Sequence, residues 1–117
     1  TTAYSFGDDI DDLDDYGWYY DNSDEAYHKV GQKKPNAWGL YDMHGNVAEW
    51  CADTWHDNYQ DAPNNGSAWI SNDSKDARVL RGGSWLHFPG CCRSAQRFQS
   101  APKNKSDAFG FRIASSV

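Results

Sequence analysis

A loop-rich fold of short strands, low in helix, is what the sequence predicts, and two observations predict it. Ten glycines accompany few aliphatic side chains in 117 residues. Glycine supplies the positive φ that tight connections need, so turns are many and strands short. Six Trp, seven Tyr and five Phe then provide apolar area for a core, although a mean hydropathy of -0.90 taken alone would suggest disorder. The expected core is small and aromatic. A mass of 13.2 kDa supports one domain over residues 1–117, near the lower end of sizes that bury a sufficient core unaided.

Taken in order, Ala3-Tyr4-Ser5-Phe6-Gly7 alternates apolar and polar and ends at glycine, the pattern of a first short strand lacking its original neighbour. The acidic run from Asp8 to Asp15 invites comparison with a calcium-binding EF-hand loop and fails on spacing. With Asp12 and Asp14 at the first two ligand positions, Tyr16 and Ser23 fall where oxygen ligands, including a bidentate glutamate, are required. A solvated acidic loop is the expectation. Trp18-Tyr19-Tyr20 reads as a buried or half-buried aromatic patch, and Val30 to Asn36 as a connector containing Pro35. From Trp38 to Trp55 a glycine-bounded turn leads into alternation that sets Ala48, Trp50 and Ala52 opposite Val47, Glu49 and Cys51, the clearest strand in the chain. Residues 56–76, rich in Asp, Asn, Ser and Gly, read as a surface loop anchored by Trp69.

The stretch from Arg78 to Ala114 is framed differently. Val79-Leu80 stops at Gly82-Gly83, and Phe111-Arg112-Ile113-Ala114 closes the stretch with a second apolar run, so two strands bracket a long irregular insert. Leu86, His87, Phe88, Cys91, Phe98 and Ala108 lie in that insert with neither strand nor helix periodicity. Such side chains face a ligand or face nothing.

Function classes narrow before any motif is used. A net charge of -6 counts against binding along a phosphate backbone, so nucleic acid is not an expected partner. No apolar run approaches the roughly 20 residues that span a bilayer, and no signal-peptide pattern is present. A soluble chain without membrane insertion is expected, its localisation left open. Three cysteines are too few for a disulfide framework and leave at least one thiol unpaired within the chain. A zinc site from His44, His56, Cys51 and Cys92 lacks the usual short ligand spacings.

The segments VGQKKPNAWGLYDMHGNVAEW, RVLRGGSW, CRSAQR and GFRIA, in this order, resemble the C-terminal half of the formylglycine-generating enzyme (sulfatase-modifying factor) family. Several separately spaced motifs agree, which a lone short motif cannot offer. The resemblance implies an α+β, loop-rich, C-type-lectin-like fold with short antiparallel strands. It also implies a further N-terminal portion, so an N-terminal half of the same domain is an expected partner. Trp38, Tyr41, Trp50, Trp85 and Phe111 are expected in the core, with Arg81, Arg93, Arg97 and Arg112 bracing loops by hydrogen bonds.

Two functions from different classes follow from the resemblance. The family enzymes oxidise a substrate cysteine to formylglycine with copper held by two cysteines a few residues apart after the GGS motif, and soft thiolates suit Cu(I). Here His87 occupies the place of the first cysteine, and the nearby thiols are the adjacent Cys91 and Cys92. No catalytic residue and no copper are therefore expected, and a formylglycine-generating copper oxidase or its inactive paralogue is the alternative.

The other function is that of a non-catalytic ligand-binding domain with a diversified surface, similar to the variable proteins of diversity-generating retroelements. Between GGSW and GFR those proteins resemble this chain, with non-diversified relatives asparagine-rich where this one has Leu86, His87, Phe88, Gly90, Cys91, Ser106, Asp107 and Ala108. Each of these eight is reachable from an AAC codon by changing adenines; ordinary drift in a surface loop is the competing reading. Gln96, Phe98, Gln99 and Ser100 surround Arg97 and extend the same ligand-binding face, which spans residues 85–109. A protein or glycan is the expected ligand, and display on a cell surface or phage is compatible with it. The resemblance further implies Ca2+ near Asn46 and Glu49, with a turn asparagine and a paired glutamate as the alternative, and a Cys51–Cys92 disulfide with Cys91 free.

Overall fold

The protein is described from a computed structural model covering residues 2–71 and 76–113. Strands are few and short. β1 (Ala48–Thr54), β2 (Arg78–Arg81), β3 (Arg97–Ser100) and β4 (Phe109–Gly110) form, among the described residues, one sheet in the order β3-β2-β1-β4. β1 takes its strand from the alternation of Ala48, Trp50 and Ala52 with Glu49, Cys51 and Asp53, and an irregularity between Trp50 and Thr54 bends it against β2. β1–β2 and β2–β3 are antiparallel, whereas β1–β4 is parallel, with Ala48 opposite Phe109. Beside the short antiparallel pairs that were expected, the sheet thus holds one parallel pair and is mixed.

The insert is less irregular than its sequence suggests. Arg97 to Ser100 completes the sheet edge, each residue opposite one of β2 from Arg81 back to Arg78. The closing strand lies at Phe109–Gly110 rather than at Phe111–Ile113; Ala114 falls outside the described residues. Tyr4 to Gly7 forms a tight turn, Tyr4 and Gly7 exchanging backbone hydrogen bonds of 2.9 and 3.2 Å, in place of a first strand. The acidic run is not a loop throughout. Asp9 caps a 3-10 turn at Ile10–Asp12 by accepting from Asp11 N–H, and α1 (Leu13–Tyr16) follows. Acids at a helical N-terminus are favourable, and the turn buries Leu13 completely.

Leu13 joins Tyr4, Tyr19 and Cys92 in a buried cluster, with Ala3 and Phe6 packed on it, while Ala48, Val79, Leu80 and Ala108 are buried along the sheet. Trp38, Tyr41 and Phe111 are not in the core: Trp38 is 87% and Phe111 78% exposed. The physical reason for Trp38 is local. Asn36 accepts the N–H groups of Trp38 and Leu40 on its side chain and donates its own N–H to the Leu40 carbonyl, so the turn is closed on itself and leaves Trp38 at its tip. Trp50 and Trp85 are half-buried.

Two glycines explain why the motifs hold their spacing. A Cβ on Gly45 (φ +79) would stand 2.1 Å from the Trp18 carbonyl oxygen, and one on Gly83 (φ +71) 2.7 Å from Cys92 Sγ. Backbone passes backbone at the first and a buried thiol at the second, and only glycine permits either. The arginine braces hold with one correction. Arg112 binds Glu49 and the Tyr41 carbonyl, Arg81 the Ser94 carbonyl, and Arg93 the Gly90 carbonyl and Gln96. Arg97 instead lies over the rings of Trp55 and Tyr59, 4.3 and 4.7 Å from their centroids. Finally, all three cysteines are unpaired. The expected Cys51–Cys92 bridge is absent because Cys92 is sealed under Gly83, while Cys51 sits half-buried on β1.

Candidate ligand-binding face

Two segments distant in sequence meet on one surface. The chain leaves β2 through Gly82-Gly83, and Ser84, fully buried, accepts or donates at His87 Nδ1 over 2.9 Å. That hydrogen bond turns the His87 ring onto Phe98 of β3, the two stacked at 4.6 Å with 7° between planes. Burial lowers the His87 pKa, so the ring stacks in its neutral form. Phe88 points outward, 62% exposed, and its ring meets that of Tyr20 at 4.9 Å. Tyr20 N–H also donates to the His87 carbonyl, which fixes the two segments together.

Leu86 and Gly90 are exposed and Cys91 is half-buried, so this arm of the face stands at the surface. Gln99 is exposed on the β3 edge beside half-buried Phe98 and Ser100. Gln96 is partly committed, its carbonyl oxygen accepting from Arg93 at 2.9 Å. Ser106 and Asp107 are exposed, and the Asp107 carbonyl accepts from Trp85 Nε1 at 3.1 Å.

Ala108 does not belong to the face. It is 2% exposed, and its carbonyl accepts from Ala48 N–H at 2.6 Å. That bond aligns β4 with β1, so the position is scaffold. Conversely, Tyr20 and the Trp55–Tyr59–Arg97 stack beside β3 were missed as parts of the surface. Tyr20 stood in a run whose composition suggests core, and nothing in the sequence pairs it with Phe88; Tyr59 lay in a loop read only through Trp69.

The thiols offer little chemistry. Burial pushes the Cys92 thiol up to about 12, and burial also raises Cys51. A thiolate is the reactive and metal-binding form, so neither side chain is poised for it. Among the described residues no three of His, Cys, Asp and Glu gather as a metal-ligand group. The two residues expected to hold calcium are otherwise engaged. Asn46, with φ +65, accepts His28 N–H and donates to the His28 carbonyl, and both carboxylate oxygens of Glu49 accept from Arg112 at 2.9 and 3.0 Å. Calcium held by Glu49 would compete with the Arg112 guanidinium for the same carboxylate.

The sequence pattern described as the Sulfatase-modifying factor enzyme 1-like domain matches residues 2–117. Serine/threonine-protein kinase pkn1 of Chlamydia pneumoniae is 37% identical over 84 residues, which are 71% of this chain and 14% of the kinase. The inactive C-alpha-formylglycine-generating enzyme 2 of Mus musculus is 34% identical over 106 residues, 83% of this chain and 30% of that protein. The chain therefore spans well under half the length of these relatives. Among solved structures, Treponema denticola variable protein 1 superposes with a TM-score of 0.77 at 35% identity, covering 95% of this chain and 40% of the other. The loop-rich, C-type-lectin-like architecture is shared with it.

Proposed function

Because the chain belongs to the Sulfatase-modifying factor enzyme 1-like family, in which one mouse relative is itself named inactive, we propose that it is a non-catalytic binding domain with a diversified face. The observation that carries this is the exposed aromatic surface. Phe88 and Tyr20, with Leu86 beside them and the His87–Phe98 stack behind, present apolar anchors among small polar groups. Anchors of that kind dominate binding energy in antibody-like surfaces. Similarity to a variable protein of known structure supports the reading.

The copper-oxidase alternative meets the residues poorly. His87, where the first thiolate would stand, is stacked on Phe98 and bonded to Ser84, and Cys92 lies sealed beneath Gly83 with its proton held. A Cu(I) site of two thiolates does not fit that arrangement. The ligand of the binding face is a protein or glycan. Immobilised protein and its Phe88→Ala variant, screened against a glycan array and against proteins of the host's surroundings, test the proposal. A ligand held by the first and lost by the second, at unchanged melting temperature, is the expected result. Copper-dependent oxygen consumption with a cysteine peptide would sink it. At the nucleotide level, a near-identical template repeat beside the gene, differing chiefly at adenines, is expected.

A further inference from the structure

In the loop between β1 and β2, Trp69 does more than anchor a surface segment: it walls a cleft. The cavity, about 620 Å³, opens between the residues that leave β1, from Trp55 to Asp61, and Trp69 on the returning chain. That volume lies within the roughly 300–1,000 Å³ of small-ligand sites. None of its lining residues belongs to the loop face between residues 85 and 109 or to the turn before β1.

Bonds to the end of β1 hold the cleft in shape. Thr54, 2% exposed, donates its N–H and its hydroxyl to the Trp69 carbonyl at 3.0 and 3.1 Å, and Asp53 accepts the Trp69 N–H at 2.8 Å. His56 lies flat on the Trp69 indole, centroids 3.5 Å apart and planes 1° from parallel, and its Nδ1 is tied to the Thr54 carbonyl at 2.9 Å. Trp55 is fixed twice, by Arg97 over its ring and by Nε1 donating to Asp57 Oδ1 at 3.0 Å. A turn closed by Ala62 N–H on the Tyr59 carbonyl carries Gln60 and Asp61 to the rim.

The chemistry of the lining selects the ligand. Small-ligand sites are ordinarily walled by apolar side chains with a few polar groups among them. Here, among the described residues, no aliphatic side chain lines the cleft; two half-buried indoles are bordered by the carboxylates of Asp57 and Asp61 and the amides of Asn58 and Gln60. Trp69 Nε1 and the side chains of Gln60 and Asp61 make no hydrogen bond among the described residues, and Asn58, whose Oδ1 accepts Gln60 N–H at 2.9 Å, keeps its NH2 to donate. A polypeptide would bring apolar side chains to a cleft without an aliphatic wall. A cation is opposed at Trp55, whose ring already carries Arg97, and an anion is opposed by Asp57 and Asp61. The ligand that remains is neutral, with an apolar face to lie on an indole and hydroxyls to meet carboxylate and amide. A pyranose has that form, with C–H bonds on its faces and hydroxyl donors around its rim.

We infer that the cleft between Trp55 and Trp69 binds a neutral saccharide, a pyranose ring resting on an indole and its hydroxyls bonded directly to Asp57, Gln60 and Asp61. This goes beyond the loop-face reading and does not rest on it, because the two sites share no residue.

Cellotetraose, chitotetraose and maltotetraose, added to the whole chain in the presence of EDTA, are the probes, with choline and sulfate as charged controls. The readout is the indole N–H signals of Trp55 and Trp69. At least one sugar is expected to move both signals at millimolar concentration and to leave the amides of Leu86, Phe88 and Gly90 in place, while the charged controls move neither indole. Trp69→Ala should weaken that sugar roughly tenfold or more, on the scale of an aromatic anchor. Should Trp69→Ala unfold, Gln60→Ala serves: its side chain is exposed, so it should melt like the parent and bind the sugar roughly threefold more weakly, the scale of one hydrogen bond. Silence from all three sugars, an equal response to choline or sulfate, or unchanged affinity in the folded variants overturns the inference. Sugar shifts confined to the Phe88 face would also overturn it, and would leave the loop-face proposal standing.

Discussion

His44 is held neutral because both of its ring nitrogens are occupied. Nδ1 lies 2.7 Å from the Cys92 carbonyl, which can only accept, so Nδ1 carries the proton; Nε2 then accepts from Ser5 N–H at 3.0 Å. Protonation would lose the bond from Ser5 N–H and leave Nε2 only the Ser5 hydroxyl oxygen, also 3.0 Å away, to donate to. Burial accordingly lowers the pKa, against a smaller upward pull from the Cys92 carbonyl. The unfolded chain takes up this proton near the ordinary value of about 6.5 and the folded one only below it, so stability falls as pH drops from about 7 towards 5. Melting curves across that range should show the loss, and His87, shifted the same way by burial, adds to it. A melting temperature indifferent to pH in this window would contradict the assignment. Residue-scale packing also separates two phenylalanines. Phe88, 62% exposed, should tolerate alanine within about 0.5 kcal/mol. Phe98, half-buried on β3 under His87, should lose about 1–2 kcal/mol, less than the 3–5 of a fully buried ring. Denaturant titration of both variants distinguishes them.

At the scale of elements, the glycine pair after β2 decides how the face is mounted. Gly83→Ala puts a methyl group 2.7 Å from Cys92 Sγ on a backbone with φ +71, combining overpacking with left-handed strain, and should cost about 2 kcal/mol or more. Gly90, in the 3-10 turn Pro89–Cys92, would meet nothing within 4 Å, so Gly90→Ala should change stability by less than about 0.5 kcal/mol. Equal midpoints for the two variants would mean that the turn is not packed against Cys92. The pairing of Arg112 with Glu49 ties the end of β4 to the start of β1 and to the Tyr41 carbonyl. Its two parallel hydrogen bonds are a fork that lysine cannot copy. Arg112→Lys should therefore cost about 1 kcal/mol or more. Breaking Lys34–Asp15, 3.6 Å apart and exposed, should cost little, as surface pairs do.

For the molecule as a whole, the same ion pair bears on calcium. Glu49 and Asn46 are spent on Arg112 and on the His28 backbone, so added Ca2+ finds no ready oxygen from these two side chains. Calcium titration should leave the melting temperature unmoved. A rise with calcium would mean that Arg112 gives up Glu49 to the ion, since a ligand that binds only the folded state must raise its stability. A radius of gyration of 14.5 Å exceeds the about 13.4 Å of a compact domain of this length. That excess accords with a small core, a short curled sheet and apolar side chains left at the surface.

What the sequence determined by itself was local or motif-borne. The β1 strand follows from a two-residue alternation, the scarcity of helix from glycine and the lack of helical periodicity, and the family from four motifs in order. Those signals need no partner elsewhere in the chain. The rest required the tertiary structure because it depends on what lies opposite. Arg97 to Ser100 becomes a strand only because β2 offers it an edge. Ala108 is scaffold only because Ala48 donates to its carbonyl. The acidic run coils because burying Leu13 against Tyr4 and Tyr19 outweighs the pull of six carboxylates towards water. Composition placed Trp38 and Phe111 in the core on size alone. Their exposure was decided by where the Asn36 turn closes and where β4 ends, neither of which an aromatic side chain signals in its own sequence.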